Sequence, residues 1–488
     1  MVIMKLKPSF IIILFLFCLT ACQDQKDVRA DQPNVVIIFT DDQGYGDLGS
    51  YGATGFITPY LDKMAGNGMR FTHFYSAQAV CSASRAALLT GCYPNRIGIS
   101  GALNPWATHG LADDELTMAE MLKSVGYATG IFGKWHLGHH LPFLPLQHGF
   151  DEYFGIPYSN DMWPVEFDGS PVTDSTHHKF RYPPLPLVEG NETLEYITTL
   201  AQQDQLTTRY TEKAIDFIRR NQSKPFFLYL PHSMVHIPLG VSEKFRGKSA
   251  QGLYGDVMME IDWSVGQVLK TLEELHLIEN TLVIFISDNG PWLNFGNHAG
   301  STGGLREGKG TSFEGGQRIP CIMQWPGTIP AGVVSNKLAS TLDLLPTVAE
   351  ITQTKLPAHK IDGVSILQIM RGDQSATPRE VLYYYYGKNN LEAIRYQNWK
   401  LVFPHISRSY KNVLPGNDGW PGPYGRDTVS MALYDLRRDP GESYDVQALY
   451  PEVKEKILSI AAEAREDLGD GLTDQPGNNR REAGQLHE

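Results

Sequence analysis

The sequence predicts an α/β protein. A large mixed, mostly parallel sheet is sandwiched by helices and followed by a smaller C-terminal α+β domain carrying an antiparallel sheet. Three observations carry this. Short continuous apolar runs rich in β-branched or aromatic residues recur at 35–39 (VVIIF), 128–132 (ATGIF), 225–230 (PFFLYL) and 281–287 (TLVIFIS); strands buried on both faces read this way. Segments with helical periodicity lie among them, notably DELTMAEMLKSVGY, RYTEKAIDFIRRN and DVMMEIDWSVGQVLKTLEELHLI. Strands alternating with helices argue a parallel sheet covered on both faces. From about residue 375 the pattern changes to short strand-like runs separated by turns, EVLYYYYG, EAIRYQNWKLVF and MALYDLRRDPGESYD, before the helix PEVKEKILSIAAEAREDL.

At 488 residues, 42% hydrophobic and 20% charged, the chain can build one large core and a smaller one. A net charge of −12 argues against general nucleic-acid binding, because phosphate affinity depends on clustered Lys and Arg. Any anion site must be local.

Lys5 and Lys7 precede an apolar run from Phe10 to Ala21, then Cys22 and a polar stretch. The run is shorter than the roughly 20 residues that cross a bilayer and reads as the core of an export signal. Leu19-Thr20-Ala21-Cys22 resembles the bacterial lipobox, so Cys22 is the expected lipidation site. The expectation is an exported protein of the bacterial periplasm or outer membrane, held to the membrane by its lipid. The expected organisation is a signal with lipobox over 1–22, a linker over 23–32, the large domain over 33–375, the C-terminal subdomain over 376–470 and a flexible tail over 471–488. Beyond the leader, Cys81, Cys92 and Cys321 remain; spacing alone does not assign a bridge between Cys92 and Cys321.

Chemistry concentrates where core strands end. VVIIF runs into Thr40-Asp41-Asp42-Gln43-Gly44. Two carboxylates at the carboxyl end of a buried strand suit a hard cation in the crevice of an α/β sheet, or form a solvated acidic turn. In CSASRAALLTG, Cys81 and Arg85 stand one helical turn apart where a helix would begin, a thiol and a cation on one face beside backbone N–H groups that favour an anion. Gly133-Lys134-Trp135-His136 follows ATGIF; in an extended segment Lys134 and His136 project to the same side. Residues 137–190, rich in Pro, Gly and aromatics, read as a surface excursion or a substrate-facing loop. PFFLYL delivers His232 and His236, TLVIFIS ends in Asp288-Asn289-Gly290, and a glycine-rich stretch after it contains Lys309.

Together these blocks resemble the type I sulfatases near the arylsulfatase A group, within the alkaline phosphatase superfamily, over roughly residues 33 to 450. CSASRAALLTG is similar to the signature C-x-[PA]-x-R, in which a dedicated maturase oxidises the cysteine to formylglycine. GKWHLG is similar to the second signature, and TDDQGYGD, FLYLPHSMVHIP, SDNG and LREGKGTSFEGGQRIP match further blocks in order; such an ordered set is far more specific than any one motif. The resemblance implies an alkaline phosphatase-like fold and a sulfuric ester hydrolase. It implies one Ca²⁺ on Asp41, Asp42, Asp288, Asn289 and residue 81, and a formylglycine hydrate at 81 as nucleophile, assisted by Asp288. By the same resemblance His236, rather than His232, serves the leaving oxygen together with Lys309, His136 removes the second hydroxyl's proton, and Arg85 and Lys134 hold the oxygens around residue 81. Family analogy implies a sulfated carbohydrate as substrate, with Trp106, His140 and Asp161 as candidate sugar contacts.

Two rivals remain at this level. One is a phosphodiester or phosphonate monoester hydrolase of the same superfamily, for which a D-H-G block is expected where this chain has Asp288-Asn289-Gly290. The other is a lipoprotein that binds sulfated glycan without catalysis because Cys81 stays unoxidised. A cysteine phosphatase fails on spacing, since C-x5-R would need an arginine where Ala87 stands.

Overall fold

The computed structural model describes residues 32–486. The apolar run at 10–21 and Cys22 lie outside them. Among the described residues no helix is long and apolar enough to cross a membrane.

The organising strand is Asn34–Thr40, buried along its whole length. It lies between Phe226–Pro231 and Thr281–Ser287 and is parallel to both. Ala128–Phe132 extends the parallel set beyond Phe226–Pro231, and Glu152–Gly155 extends it again. Antiparallel pairings follow on both sides: Arg318–Gln324 pairs with Thr281–Ser287 and with Met69–Tyr75, while Leu185–Glu189 and Glu192–Ile197 lie at the other edge, and the short strands Val333–Ser335 and Ala339–Ser340 run parallel to Met69–Tyr75. The sheet is thus mixed, with its parallel strands at the centre, as the sequence predicts.

Both faces are dry because side chains alternate. Val35, Ile37 and Phe39 join one core with Ala86, Leu88, Leu89, Leu344 and Val348. Val36 and Ile38 join the other with Tyr210, Phe217, Ile261 and Val265, from the helices Leu206–Arg220 and Leu253–Glu274. Each aliphatic side chain so buried contributes about 1.5–3 kcal/mol relative to exposure, which explains why these strands read as unbroken apolar runs.

The C-terminal region forms a four-stranded antiparallel sheet in the order Val381–Tyr386, Asn390–Tyr396, Trp399–Val402, Ala432–Asp435. The helix Pro451–Leu468 covers it with Ile457, Ala461, Ala464 and Leu468. A separate ladder, His405–Ser409 with Gly425–Val429, stands beside it. The buried Glu314 carboxylate fastens this region to the large domain: it accepts from Tyr75 Oη at 2.6 Å, Tyr384 Oη at 3.0 Å and Lys400 Nζ at 3.2 Å.

Two expectations need correction. Residues 471–486, expected as a flexible tail, run back along the large domain. Gly484–Gln485 pairs with His109–Gly110, Arg481 reaches the buried Glu115 carboxylate at 2.5 Å, and Arg96 donates to Asn479 O at 2.9 Å. The polar composition that reads as fraying instead serves an ion pair and hydrogen bonds. Residues 133–136, where an extended segment would have put Lys134 and His136 on one side, form an irregular turn in which His136 takes a positive φ of 64°. Gly133 sits at φ 140°, where a Cβ would meet Pro231 O at 1.9 Å, so the chain turns within contact of the neighbouring strand. Cys81, Cys92 and Cys321 are free thiols, all buried.

One buried carboxyl gives the fold a pH signature. Asp262 accepts from the backbone N–H groups of Leu61 at 2.8 Å and Tyr60 at 3.2 Å, yet burial pushes it up to about 7. The folded chain therefore binds more protons than the unfolded chain between the ordinary carboxyl range and pH 7, so stability falls as pH rises through that window. Urea melts at pH 5 and pH 8 should show wild type losing more stability than Asp262→Asn, by roughly 1–3 kcal/mol; equal losses would contradict the assignment.

Candidate active site

Register builds the site. Thr40 pairs with Ser287 across two parallel strands, so Asp41-Asp42 and Asp288-Asn289 leave the sheet side by side. Phe39 pairs with Pro231 and Ile131 with Tyr229, which brings the 232–236 and 133–136 segments to the same edge. Four adjacent strands thus deliver their polar residues into one crevice at their carboxyl ends, where open α/β sheets bind ligands.

The helix Cys81–Thr90, with every residue buried, points its first turn at this crevice. Cys81 Sγ lies 3.4 Å from Asp41 Oδ1. One turn on, Arg85 donates to Asp41 Oδ2 and Asp288 Oδ2, both at 2.9 Å, and to Lys134 O at 2.9 Å. Lys134 Nζ reaches Asp41 Oδ2 at 2.5 Å and Ser159 Oγ at 3.1 Å. Lys309 Nζ lies 2.8 Å from the Asp42 carboxylate and 3.4 Å from Cys81 Sγ. Three carboxylates (Asp41, Asp42, Asp288) and three cations (Arg85, Lys134, Lys309) are therefore buried in mutual contact, a balanced set that offsets the cost of taking each charge out of water.

These neighbours set the protonation states. Burial would raise the Asp41 carboxyl, but Lys134 and Arg85 outweigh it and hold Asp41 well below the usual range. Asp288 moves the other way, to about 7, because burial and the adjacent Asp41 charge disfavour a second carboxylate on the shared guanidinium. Burial opposes charge on Lys309, yet the Asp42 and Asp41 carboxylates keep it an ammonium. Burial and Asp41 push the Cys81 thiol well up. A thiol attacks only as thiolate, so unmodified Cys81 is a poor nucleophile.

The two histidines differ. His136 Nε2 lies 2.8 Å from Leu103 O, which assigns its proton to Nε2 and leaves Nδ1, buried without a partner, as a bare lone pair. Burial, Lys134 and Arg85 keep the ring neutral. His236 donates from Nδ1 to Ile237 O at 2.6 Å, so Nε2 is the working atom, 3.5 Å from both Asp42 Oδ2 and Ser159 Oγ. His232 is used elsewhere, bonded to Ser264 Oγ at 3.1 Å.

Among the described residues, the ligand atoms of Asp41, Asp42, Cys81 and His236 all lie within 4.8 Å of one another, close enough for one ion. Asn289 donates to Asp42 Oδ1 at 2.7 Å while its own Oδ1 is buried without a partner. An orphaned acceptor beside two carboxylates fits an all-oxygen cation site. Asp288 adjoins this group through its bonds to Arg85 and to the Asp42 N–H at 3.0 Å.

The structure brings Asp41, Asp42, Cys81, Arg85, Lys134, His136, His236, Asp288, Asn289 and Lys309 together. It also brings Asp161, whose carboxyl is held low although burial raises it, because His236, Ser159 and Lys179 outweigh burial. Trp106, half exposed and stacked on Tyr182 at 4.8 Å, and His140, against His139, make no bond to the charge cluster. Sequence reasoning missed Ser159, which lies in the 137–190 segment where no periodicity or motif marks it. It also missed Trp292, whose ring lies 4.4 Å from Lys309 Nζ and 5.5 Å from the His236 ring.

The comparisons decide the family. A model described as Sulfatase matches residues 33–354, and one described as the C-terminal region of aryl-sulfatase matches residues 377–482. This chain belongs to the sulfatase family. It is 38% identical over 453 residues to arylsulfatase A of Bos taurus, covering 88% of this chain and 86% of that protein. It is also 38% identical over 472 residues to N-acetylgalactosamine-6-sulfatase of Canis lupus familiaris, covering 90% and 87%. The crystal structure of the PsFucS1 sulfatase from Pseudoalteromonas sp. superposes with a TM-score of 0.77 at 28% identity, covering 90% of this chain and 91% of that one. The sulfatase is a sulfuric ester hydrolase.

Arg85 is the arch of this charge cluster. Replacing it by methionine leaves Asp41 and Asp288 buried side by side without their shared cation, and should cost about 3–5 kcal/mol of stability in denaturant melts. A loss below about 1 kcal/mol would show that the pair is not held by that guanidinium.

Proposed function

We propose that the sulfatase hydrolyses sulfate esters on carbohydrate, with Cys81 oxidised to formylglycine by a maturase and one Ca²⁺ held by Asp41, Asp42, Asp288 and Asn289 beside residue 81. The observation that carries this is a buried, fully connected charge cluster converging on a thiol that is itself a poor nucleophile. The formylglycine hydrate supplies the nucleophilic hydroxyl and the ion neutralises charge on sulfate.

The chain's own residues account for the remaining needs. Lys309, Lys134 and Arg85 supply fixed positive charge that is already paired, so nothing reorganises as charge develops on the sulfate oxygens. At the departing sugar oxygen Lys309, held as an ammonium, supplies positive charge and a proton, and His236 Nε2, flanked by Asp42 and Ser159, acts beside it, its ring kept neutral by burial and by Lys309. His136 Nδ1, neutral and unbonded, is placed to take a proton from the hydroxyl side of residue 81. Asp288, bonded to Arg85 and to the Asp42 N–H, completes this set.

Carbohydrate as the substrate class is supported by the names of the relatives, including N-acetylgalactosamine-6-sulfatase. The phosphodiester and phosphonate alternatives are disfavoured by Asn289, whose neutral amide offers a hard oxygen where a histidine would offer a nitrogen. A non-catalytic glycan-binding lipoprotein remains the outcome for an unoxidised chain. The same reading takes the run at 10–21 and Cys22 as an export signal and lipid anchor, placing the enzyme at the periplasm or outer membrane.

Co-expression with a formylglycine-generating maturase, followed by mass spectrometry of the mature protein, tests these points together. The peptide bearing residue 81 should carry an aldehyde and the chain should begin at a lipidated Cys22. Turnover of an aryl sulfate should exceed that of an aryl phosphate diester. An intact thiol at 81 in an active enzyme, or faster diester cleavage, would overturn the mechanism.

A further inference from the structure

A second cluster of cations lies beside the active site and takes no part in the chemistry above. In the ladder His405–Ser409 with Gly425–Val429, Arg408 stands directly opposite Arg426. Residues opposite one another in an antiparallel pair project to the same face about 4.5–5.5 Å apart at Cβ, and like charges there are destabilising. Among the described residues neither arginine forms an ion pair with a carboxylate. Arg408 instead lies over the Tyr424 ring at 4.3 Å and reaches Lys309 O at 3.5 Å. Asp427 alternates to the other side of the ladder, with Ser407 opposite it. On a chain of net charge −12, two facing arginines with no ion-paired carboxylate among the described residues imply an anion that comes from outside.

The two arginines line one cavity of about 390 Å³, together with Tyr386, Tyr424, Glu392 and Gly310. That volume falls within the range of small-molecule sites. Its one carboxyl, Glu392, is pushed up to about 7 by burial and stands beside His405, Nε2 to Oε2 at 3.3 Å, so its repulsion of an anion is muted. The aromatic rings offer apolar faces against which the C–H face of a sugar can lie.

The cavity adjoins the reacting centre through covalent and packed neighbours. Gly310, in its wall, follows Lys309, whose ammonium lies 3.4 Å from Cys81 Sγ. At φ 81°, a Cβ on Gly310 would meet the Arg408 guanidinium at 2.7 Å, so glycine allows the arginine to lie against the catalytic segment. Tyr424 Oη accepts from Trp292 Nε1 at 2.6 Å, and Trp292 in turn covers Lys309. Tyr410 Oη donates to Lys309 O at 2.6 Å.

Building on the sulfatase reading, we propose that Arg408 and Arg426 form a second anion subsite, which binds a carboxylate or sulfate on the sugar next to the one being desulfated. The preferred substrate is then a polyanionic oligosaccharide and not an isolated sulfated sugar. Planar guanidinium groups pair with either anion through two parallel N–H bonds, and the aromatic walls hold the ring that carries it.

The test uses the full chain matured with formylglycine and three sulfated trisaccharides identical except for the flanking sugar: a uronate, a sulfated hexose and a neutral hexose. Wild type should show a KM at least about tenfold lower for the anionic trisaccharides than for the neutral one, in line with one or two charge-assisted hydrogen bonds. Arg426→Gln, an exposed position whose replacement cannot disturb Lys309, should bring that ratio close to one, and Arg426→Lys should restore part of it. The uronate and sulfated arms tell which anion is read. Equal KM values for all three in wild type, or a preference that survives Arg426→Gln, would overturn the subsite. Should wild type fail on aryl sulfate as well, the sulfatase reading falls instead. Calorimetric binding of the uronate trisaccharide to wild type and Arg426→Gln then judges the subsite alone, with equal affinity overturning it.

Discussion

Everything at the candidate active site depends on one constraint, the sharing of Arg85 between Asp41 and Asp288 with all three side chains fully buried. Two carboxylates at this spacing cannot both be ionised without a cation between them. The cation arrives from a helix whose first residue is Cys81, so the bond that settles the charges also fixes where residue 81 stands. Lys134 adds to Asp41 from a third element and Lys309 to Asp42 from a fourth. Removing any one arm leaves an unpaired buried charge, which ties the catalytic geometry to the stability of the fold.

That geometry in turn rests on the parallel centre of the sheet. Adjacent parallel strands end at the same edge, so residues remote in sequence, such as Asp42 and Asp288, come within hydrogen-bond range through strand register alone. The unbroken apolar runs make this possible, because only strands buried on both faces can sit in the middle of such a sheet.

Much of this is legible in the sequence. VVIIF, ATGIF, PFFLYL and TLVIFIS each read as core strands because burial on two faces erases the alternation that a half-exposed strand would show, and the motifs follow directly on those runs. What the sequence hides is of three kinds. The turn at 133–136 depends on close contact with Pro231 and on the left-handed backbone of His136, neither of which has a periodic signature. Ser159 and Asn160 matter only because their segment folds back over His236. The C-terminal residues look like a tail because they are polar, yet Arg481 pairs with Glu115 and Asn479 accepts from Arg96, partners far away in the chain. Composition carries no record of such long-range pairing. The facing arginines belong to the same class, invisible until the register of their ladder is known.

The central claim is that the cluster is a charge-balanced cradle completed by a hard cation on oxygen ligands. Its most direct test is isothermal titration of Ca²⁺ into the chelator-stripped enzyme, alongside Asn289→Leu, which removes the buried, partnerless amide oxygen that stands beside Asp42. The account expects one ion per chain for wild type and much weaker binding for the variant, with the fold of both intact by circular dichroism. No binding by a folded wild type, or equal binding by the variant, would contradict it.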